Sequence, residues 1–424
     1  MVETAAKASA TPLAGIKVVE FSHMIMGPSC GLVLADLGAD VVKIEPAPKG
    51  DNSRRLSGIA AGFFQAFNRN KRSLCVDMKS DDGRALVRSL IAEADVVVEN
   101  FRPGAMDKLG LGPAAMMALN PRLIYCSCKG FLPGPYQHRA ALDEVVQMMG
   151  GLAYMTGPPG KPMRAGTSIN DILGGVFGSV AVLAALRERD RTGIGGAVQS
   201  GLFETNALLV AQHMAVAAVT GSDPLSFGDP DMKKPWPLYD VFDTCEPGQQ
   251  LFVGVVTETQ WRNFCEAFDL TDLRDDPTLS TMKDLAAARP RIAKRVATVF
   301  GQMTKQVLSA KCEALGLPFA PIARPSDLFD DPHLLASGGL LATDMTTARD
   351  DPAMPPHQAV AGLPTLPITF DEARVGLRRQ PPRVGQHSIE LAREAGLTDV
   401  QIDKLIELGV LTVPAQSIDR PPID

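Results

Sequence analysis

The sequence has few of the features that point to a membrane, a nucleic acid or a metal. Its first fifteen residues, MVETAAKASATPLAG, contain no apolar core of the kind a secretory signal needs. The longest apolar run, from Ile172 to Leu186, carries glycines and falls short of the roughly 18 residues that cross a bilayer. No membrane partner is therefore expected. Lys and Arg total 42 against 48 Asp and Glu, giving a net charge of −6 with no basic block, so no nucleic-acid partner is expected. The seven cysteines are odd in number and scattered, which fits a reducing compartment and a cytoplasmic location. Cys126 and Cys128 are separated by one residue, closer than zinc ligands, and their alternation reads as a strand. His213, His333, His357 and His387 fall on different predicted elements with no HxxxH or HExxH spacing, so no metal is expected. The chain has no GxGxxG after its first strand, no P-loop and no GxSxG elbow. These absences argue against a nucleotide cofactor, an NTPase and a serine hydrolase. No internal repeat is found.

What is present is an ordinary globular composition, 45% hydrophobic and 21% charged, with room for two domains. Short β-branched runs at 16–21, 41–45, 73–78, 94–101 and 122–128 alternate with helical patterns at 29–37, 84–93, 105–109 and 113–119. This predicts an α/β fold: a doubly wound, Rossmann-like large domain without GxGxxG, plus a smaller α+β domain. The Pro-, Gly- and Asp-rich stretch after residue 221 marks a boundary. The division expected is 1–224 for the first part of the large domain, 225–325 for the small domain, and 326–424 for a return segment completing the large one. A hairpin is expected around CEPGQQ, and residues 195–221 are expected to be helical. The long loop at 46–70 is of a length that tends to carry function. Polar residues cluster at successive strand exits: His23, Glu45, Lys79, Asn100, Arg102 and Lys129. In open α/β sheets that rim binds ligands, and cations there suit phosphates.

The stretch at 164–195, RAGTSINDILGGVFGSVAVLAALRERDRTGIG, organises the chain. A polar lead-in opens an apolar run with a basic end and a glycine stop, predicting a helix buried on all sides. Gly174, Gly175 and Gly178 leave one flank bare for another backbone. Asp171 falls in the first turn. It is either a helix cap or a carboxylate held at a positive helix end as a nucleophile.

Seven motifs follow one another from about Leu13 to Leu411: LAGIKVVEFSHMIMGPSCGLVLADLGADVVKIEP, FNRNKRSLCVDMKSDDGRAL, ADVVVENFRPGAMDKLGLG, NPRLIYCSCKGF, RAALDEVVQMMGGLAYMTG, NDILGGVFGSVAVLAALRERDRTGIG and PPRVGQHS. In these the chain resembles the class III CoA-transferases, the family of formyl-CoA transferase and carnitine CoA-transferase. The resemblance implies that Asp171 is the nucleophile and that coenzyme A is a substrate, with no metal and no nucleotide cofactor. It assigns CoA binding to His23, Lys79, Asn100, Phe101, Arg102, Lys108 and Arg139. It further implies two interlocked subunits and a path through an aspartyl–acyl anhydride and an aspartyl-CoA thioester. Ile25 stands where formyl-CoA transferases carry glutamine, and SFGDPDMKKPWP replaces their glycine-rich loop. The pattern is closer to succinyl-CoA:dicarboxylate transferases, with Lys233 or Lys234 as partner to a second carboxylate. The alternative is an α-methylacyl-CoA racemase type of epimerase, in which a His–Asp pair moves a proton. Here the corresponding region, GPYQHRAALDE, offers His138 in a different context.

Overall fold

A computed structural model describes residues 11–229, 231, 232, 234–346 and 359–414, so Lys233 and His357 lie outside the described residues. The first half of the chain runs β1 (Lys17–Phe21), α1 (Met26–Asp36), β2 (Asp40–Pro46), α2 (Phe63–Phe67), β3 (Lys71–Val76), α3 (Asp81–Ala92), β4 (Val96–Glu99), α4 (Ala105–Lys108), α5 (Pro113–Leu119), β5 (Ile124–Lys129), α6 (Asp143–Met149), α7 (Leu152–Thr156), α8 (Ile169–Thr192), β6 (Gly196–Gly201), α9 (Leu202–Leu209) and α10 (Ala211–Thr220). Two units are compact in themselves: one takes the chain up to Gly228 and from Asp331 onward, the other Asp229–Asp330.

The second unit holds the antiparallel strands β7 (Leu238–Asp243), β8 (Gln250–Val255) and β9 (Phe319–Pro321). Helix Glu258–Ala267 turns Trp261, Phe264 and Cys265 inward, where they pack with Phe242, Val253 and Phe300. The first unit resumes with β10 (Leu340–Asp344), β11 (Val360–Pro364), β12 (Thr369–Phe370), β13 (Ala373–Arg374) and, after two helices, β14 (Leu411–Thr412).

Seven strands form the main sheet in the order β14-β3-β2-β1-β4-β5-β6. All pairings are parallel except that of β14 with β3. Valines alternate between the two faces. Val18, Val41 and Val96 pack on one side with α1 and α8; Val19, Val42 and Val97 pack on the other with α3 and the C-terminal helices. Burial of both faces is why these strands read as near-continuous apolar runs.

Several elements differ from expectation. Helix α1 begins at Met26 rather than at residue 29, because Pro28 in a first turn forfeits no helical hydrogen bond. Residues 196–201 form β6 rather than helix: the segment has a single β-branched residue, and its strand state comes from pairing along β5. Helix α8 spans 24 residues and contains an 18-residue window of mean hydropathy 1.8, so it is longer than its central run and meets the length and composition of a membrane span, as core helices also do. Its glycine flank instead packs on α1. A Cβ at Gly175 would lie 2.6 Å from the Ser29 Cβ, a clash only glycine avoids. Nor is α8 buried on all sides in the single chain, since Phe177 and Val180 are 39% and 53% exposed. The thiols of Cys30, Cys126 and Cys128 meet beside Gly178, all within 4.8 Å of one another.

Candidate active site

The strand order reverses between β1 and β4, and their C-terminal ends open the crevice where doubly wound sheets hold ligands. The two exits are tied together. The His23 N–H donates to Asn100 Oδ1 at 3.0 Å, and Asn100 Nδ2 donates to the His23 carbonyl at 2.9 Å. The His23 ring stacks on Phe101 with centroids 5.7 Å apart. Met24, next along, has φ 62°, a left-handed conformation that a side chain rarely adopts and that sites tolerate when the surroundings enforce it.

The enforcement comes from buried charges beneath the loop. Lys43 Nζ donates to the Ser22 carbonyl at 2.7 Å and pairs with Asp51 at 2.9 Å. Glu20 lies 3.5 Å from Lys43 and 2.8 Å from Lys71. Burial lowers the Lys71 ammonium to about 8 even though Glu20 opposes the shift. The network explains Gly31, where any Cβ would overlap the Glu20 carboxylate. It also corrects the reading of Glu45 as a rim residue: Glu45 is fully buried and bound to Arg54 at 2.6 Å.

Asp171 sits in the first turn of α8 but does not cap it. The cap is Asp143 of α6, whose Oδ1 accepts the backbone N–H groups of Asn170 at 2.8 Å and Asp171 at 3.2 Å. Ser168, at the cap position, makes no side-chain bond to the helix. Gln147 holds Asp143 in place through its amide N–H and accepts the Ala165 N–H at 2.8 Å. Among the described residues nothing donates a hydrogen bond to the Asp171 carboxylate. Burial, then the charges of Asp143 and Glu144, push it up to about 7, with Arg164 pulling the other way. The result is a desolvated carboxylate with free lone pairs, part ionised at neutral pH, which suits a nucleophile better than a structural anion.

A cavity of about 500 Å³ lies over Asp171. His23, Ile25, Asn100 and Lys129 line it, as do Asp143, Glu144 and Arg164. The long loop after β2 contributes Ile59, Ala60, Phe63 and Phe67. An adjoining groove of about 440 Å³ holds Phe101, Arg102 and Arg139. The two share Asn100, Cys128, Lys129, Gly130, Ala141 and Leu142, so they are continuous. Five of the expected CoA residues are thus brought together with Asp171, and two are not. Lys79 is exposed after β3 and Lys108 is exposed at the end of α4, and neither lines the cavity or the groove. Lys234 pairs with Asp240 at 3.3 Å. Asp143, Glu144, Arg164 and Gln147 were not singled out from the sequence. The one signal for Asp143, Glu144 and Gln147 was the RAALDEVVQ motif, which carried no role for its acids, and Arg164 stood only at the head of the 164–195 stretch.

The chain matches the family described as CoA-transferase family III over residues 13–388. It is 34% identical to an acyl-CoA transferase of Fusarium pseudograminearum over 96% of this chain and 90% of that one. It is 33% identical to a succinate–glutarate CoA-transferase of Agrobacterium fabrum, covering 90% and 95% of the two chains. A succinyl-CoA–D-citramalate CoA-transferase of Chloroflexus aurantiacus is 30% identical, over 92% and 95%. Among solved structures, a CAIB/BAIF family protein from Brucella suis superposes with a TM-score of 0.79 at 32% identity, covering 91% of this chain and all (100%) of that one. With a desolvated aspartate at the switch point and a match along nearly its whole length, the chain belongs to CoA-transferase family III.

Proposed function

We propose that the protein moves CoA from an acyl-CoA thioester to a carboxylic acid with a second carboxylate, using Asp171 as the covalent relay. The observation that carries this is the Asp171 carboxylate itself: desolvated, without a hydrogen-bond donor among the described residues, and displaced from the capping role by Asp143. Asp171 attacks the thioester carbonyl, giving an aspartyl–acyl anhydride and CoA thiolate. The thiolate attacks the aspartyl carbonyl, releasing the first acid and leaving an aspartyl-CoA thioester. The acceptor carboxylate then reverses the sequence. The thioester energy is retained in each covalent state, so the chemistry calls for neither ATP nor a metal.

The continuous groove supports CoA binding. Arg102 and Arg139 are exposed along it and, among the described residues, pair with no carboxylate. They are free to meet phosphates, with Phe101 beside them for a ring or pantetheine arm. Dicarboxylate substrates rest on the similarity to the Agrobacterium and Chloroflexus transferases. The interlocked dimer is part of the same proposal. The apolar flank of α8 and helix α10, none of whose residues is buried, present Phe177, Val180, Met214 and Val219 for a second chain to cover. A cytoplasmic location is part of the proposal, and the seven free cysteines are compatible with it.

His138, the histidine that the epimerase reading offered, contacts the Gln137 amide at 3.0 Å and lines the adjoining groove, not the cavity over Asp171; the histidine on that cavity wall is His23, whose ring stacks on Phe101. The deciding experiment uses labelled succinate with succinyl-CoA. Wild type exchanges label, Asp171→Asn and Asp171→Ala do not, and hydroxylamine added during turnover marks Asp171 alone. Full exchange by Asp171→Asn, or trapping at another carboxylate, overturns the proposal. Proton exchange at the α-carbon without CoA transfer favours the epimerase.

A further inference from the structure

The cavity over Asp171 is a difficult place for a dianion. Its wall already carries the carboxylates of Asp171, Asp143 and Glu144. Three basic side chains share that wall: His23, Lys129 and Arg164. Partial desolvation holds the His23 imidazole below its ordinary value, so it is neutral at physiological pH. Lys129 is saturated, its ammonium bound to Glu99 at 2.6 Å and to the Phe101 carbonyl at 2.7 Å.

Arg164 differs. Its Nε donates to the Ala165 carbonyl at 3.1 Å, and Nη1 is bound to Glu144. Its Nη2 makes no hydrogen bond among the described residues, and Asp143 Oδ2 lies 3.8 Å from it. The side chain is 30% exposed on the cavity wall, and its partner Glu144 is 48% exposed. That ion pair is solvated on one side and cheap to share. The geometry also ties Arg164 to the nucleophile. The Asp143 carboxylate takes the Asp171 N–H on one oxygen and faces Arg164 Nη2 with the other.

We propose that the free Nη2 edge of Arg164 binds the second carboxylate of the acid whose first carboxylate reacts at Asp171, making Arg164 the residue that selects diacids. The assignment rests on the transferase reading above. A guanidinium suits the task because its planar fork matches a carboxylate while Nη1 stays with Glu144. Monocarboxylates of equal length would leave the Nη2 donors unpaired and meet the acidic wall without gaining a counter-charge.

The test compares succinyl-CoA/succinate exchange with butyryl-CoA/butyrate exchange. A hydrogen bond to a charged group corresponds to a change of about 10- to 100-fold. In Arg164→Gln the succinate-to-butyrate ratio of kcat/KM should fall by that factor. Arg164→Lys keeps the charge but loses the fork, and it should lower the same ratio by less. An equal fall with both acids, or an unchanged ratio, overturns the assignment. Glutarate binding by calorimetry is the readout independent of turnover. Loss of glutarate affinity in Arg164→Gln supports the assignment, and wild-type affinity in that variant overturns it. Failure of wild type to exchange either acid counts against the transferase reading and leaves the glutarate titration to judge Arg164.

Discussion

The Asp143 carboxylate accepts the backbone N–H of Asp171 at 3.2 Å across 28 residues of sequence. Two acids therefore share one helix terminus, and only one of them receives its hydrogen bonds. The positive end of α8 is spent on Asp143, whose charge then opposes ionisation of its neighbour. Burial does most to raise the Asp171 carboxyl, and this charge adds to it, giving a nucleophile near neutrality instead of well below it.

The first prediction is a pH dependence. Because Asp171 titrates near 7, kcat/KM for the acyl-CoA should rise through that pH and level off by about pH 8. Stability should move the other way. A carboxyl raised from 3.8 to about 7 binds its proton more tightly in the fold. Its contribution is present in full below the unfolded value and is lost as pH rises through the folded one. Asp171→Asn removes that loss, so the variant should exceed wild type at pH 8 by on the order of 2 kcal/mol, with the gap closing toward pH 4. Denaturant midpoints at the two pH values measure it; a gap that does not change with pH refutes it.

Asp143→Asn keeps an oxygen for the Asn170 and Asp171 N–H groups but removes the charge. The pH–rate midpoint should shift down by about one, and stability should fall by about 1–3 kcal/mol, because the new Nδ2 faces the buried Gln147 amide N–H that the Asp143 carboxylate accepts. Asp143→Ala should in addition cost about 0.5–2 kcal/mol of stability. A midpoint unmoved in Asp143→Asn means that the two acids do not communicate.

Lys43→Met should be severe despite its distance from the chemistry. Burial disfavours the Asp51 anion, yet Lys43 holds it down to about 2; without the ammonium, Asp51 and Glu20 lose a counter-charge in the interior. Breaking such a buried pair costs about 3–5 kcal/mol. Thermal unfolding checks this, and a Tm within a degree of wild type counts against the network.

Gly175→Val tests the approach of α8 to α1. The branched side chain would meet the Met26 carbonyl and the Ser29 Cβ, forcing the helices apart at a cost of about 1–3 kcal/mol. Activity should fall with it, because α1 follows the His23 loop and α8 carries Asp171. Unaltered unfolding and turnover would mean that the contact is slack.

The valine-rich strands β1, β2 and β4 were legible because burial on both faces leaves an apolar run. Asp171 was legible as a first-turn acid, with its role open. β6 was not legible, since GAVQSG has no strand pattern of its own and becomes one only against β5. Nor was the cap. A search for capping residues looks just ahead of the helix, and Ser168 stands there idle while Asp143 reaches in from another helix. The rim at the strand ends was partly legible: polarity marks a strand exit, but Glu45 and Lys129 proved to be engaged with Arg54 and Glu99.

The antiparallel partner of β3 has a consequence for synthesis. The outer edge of β3 is closed by residues near the far end of the chain: the Ser73 N–H is taken by His387 Nδ1, the Cys75 N–H by Ser388 Oγ, and Leu411 and Thr412 pair with Val76 and Cys75. On the ribosome, β1 to β5 emerge more than 250 residues ahead of that closing segment. The nascent sheet waits through that interval with an open strand margin. Arg72 is poised there in advance of Glu390 and Glu394. A charge at the margin of an unfinished sheet discourages adhesion between neighbouring nascent chains until the C-terminus arrives to seal it.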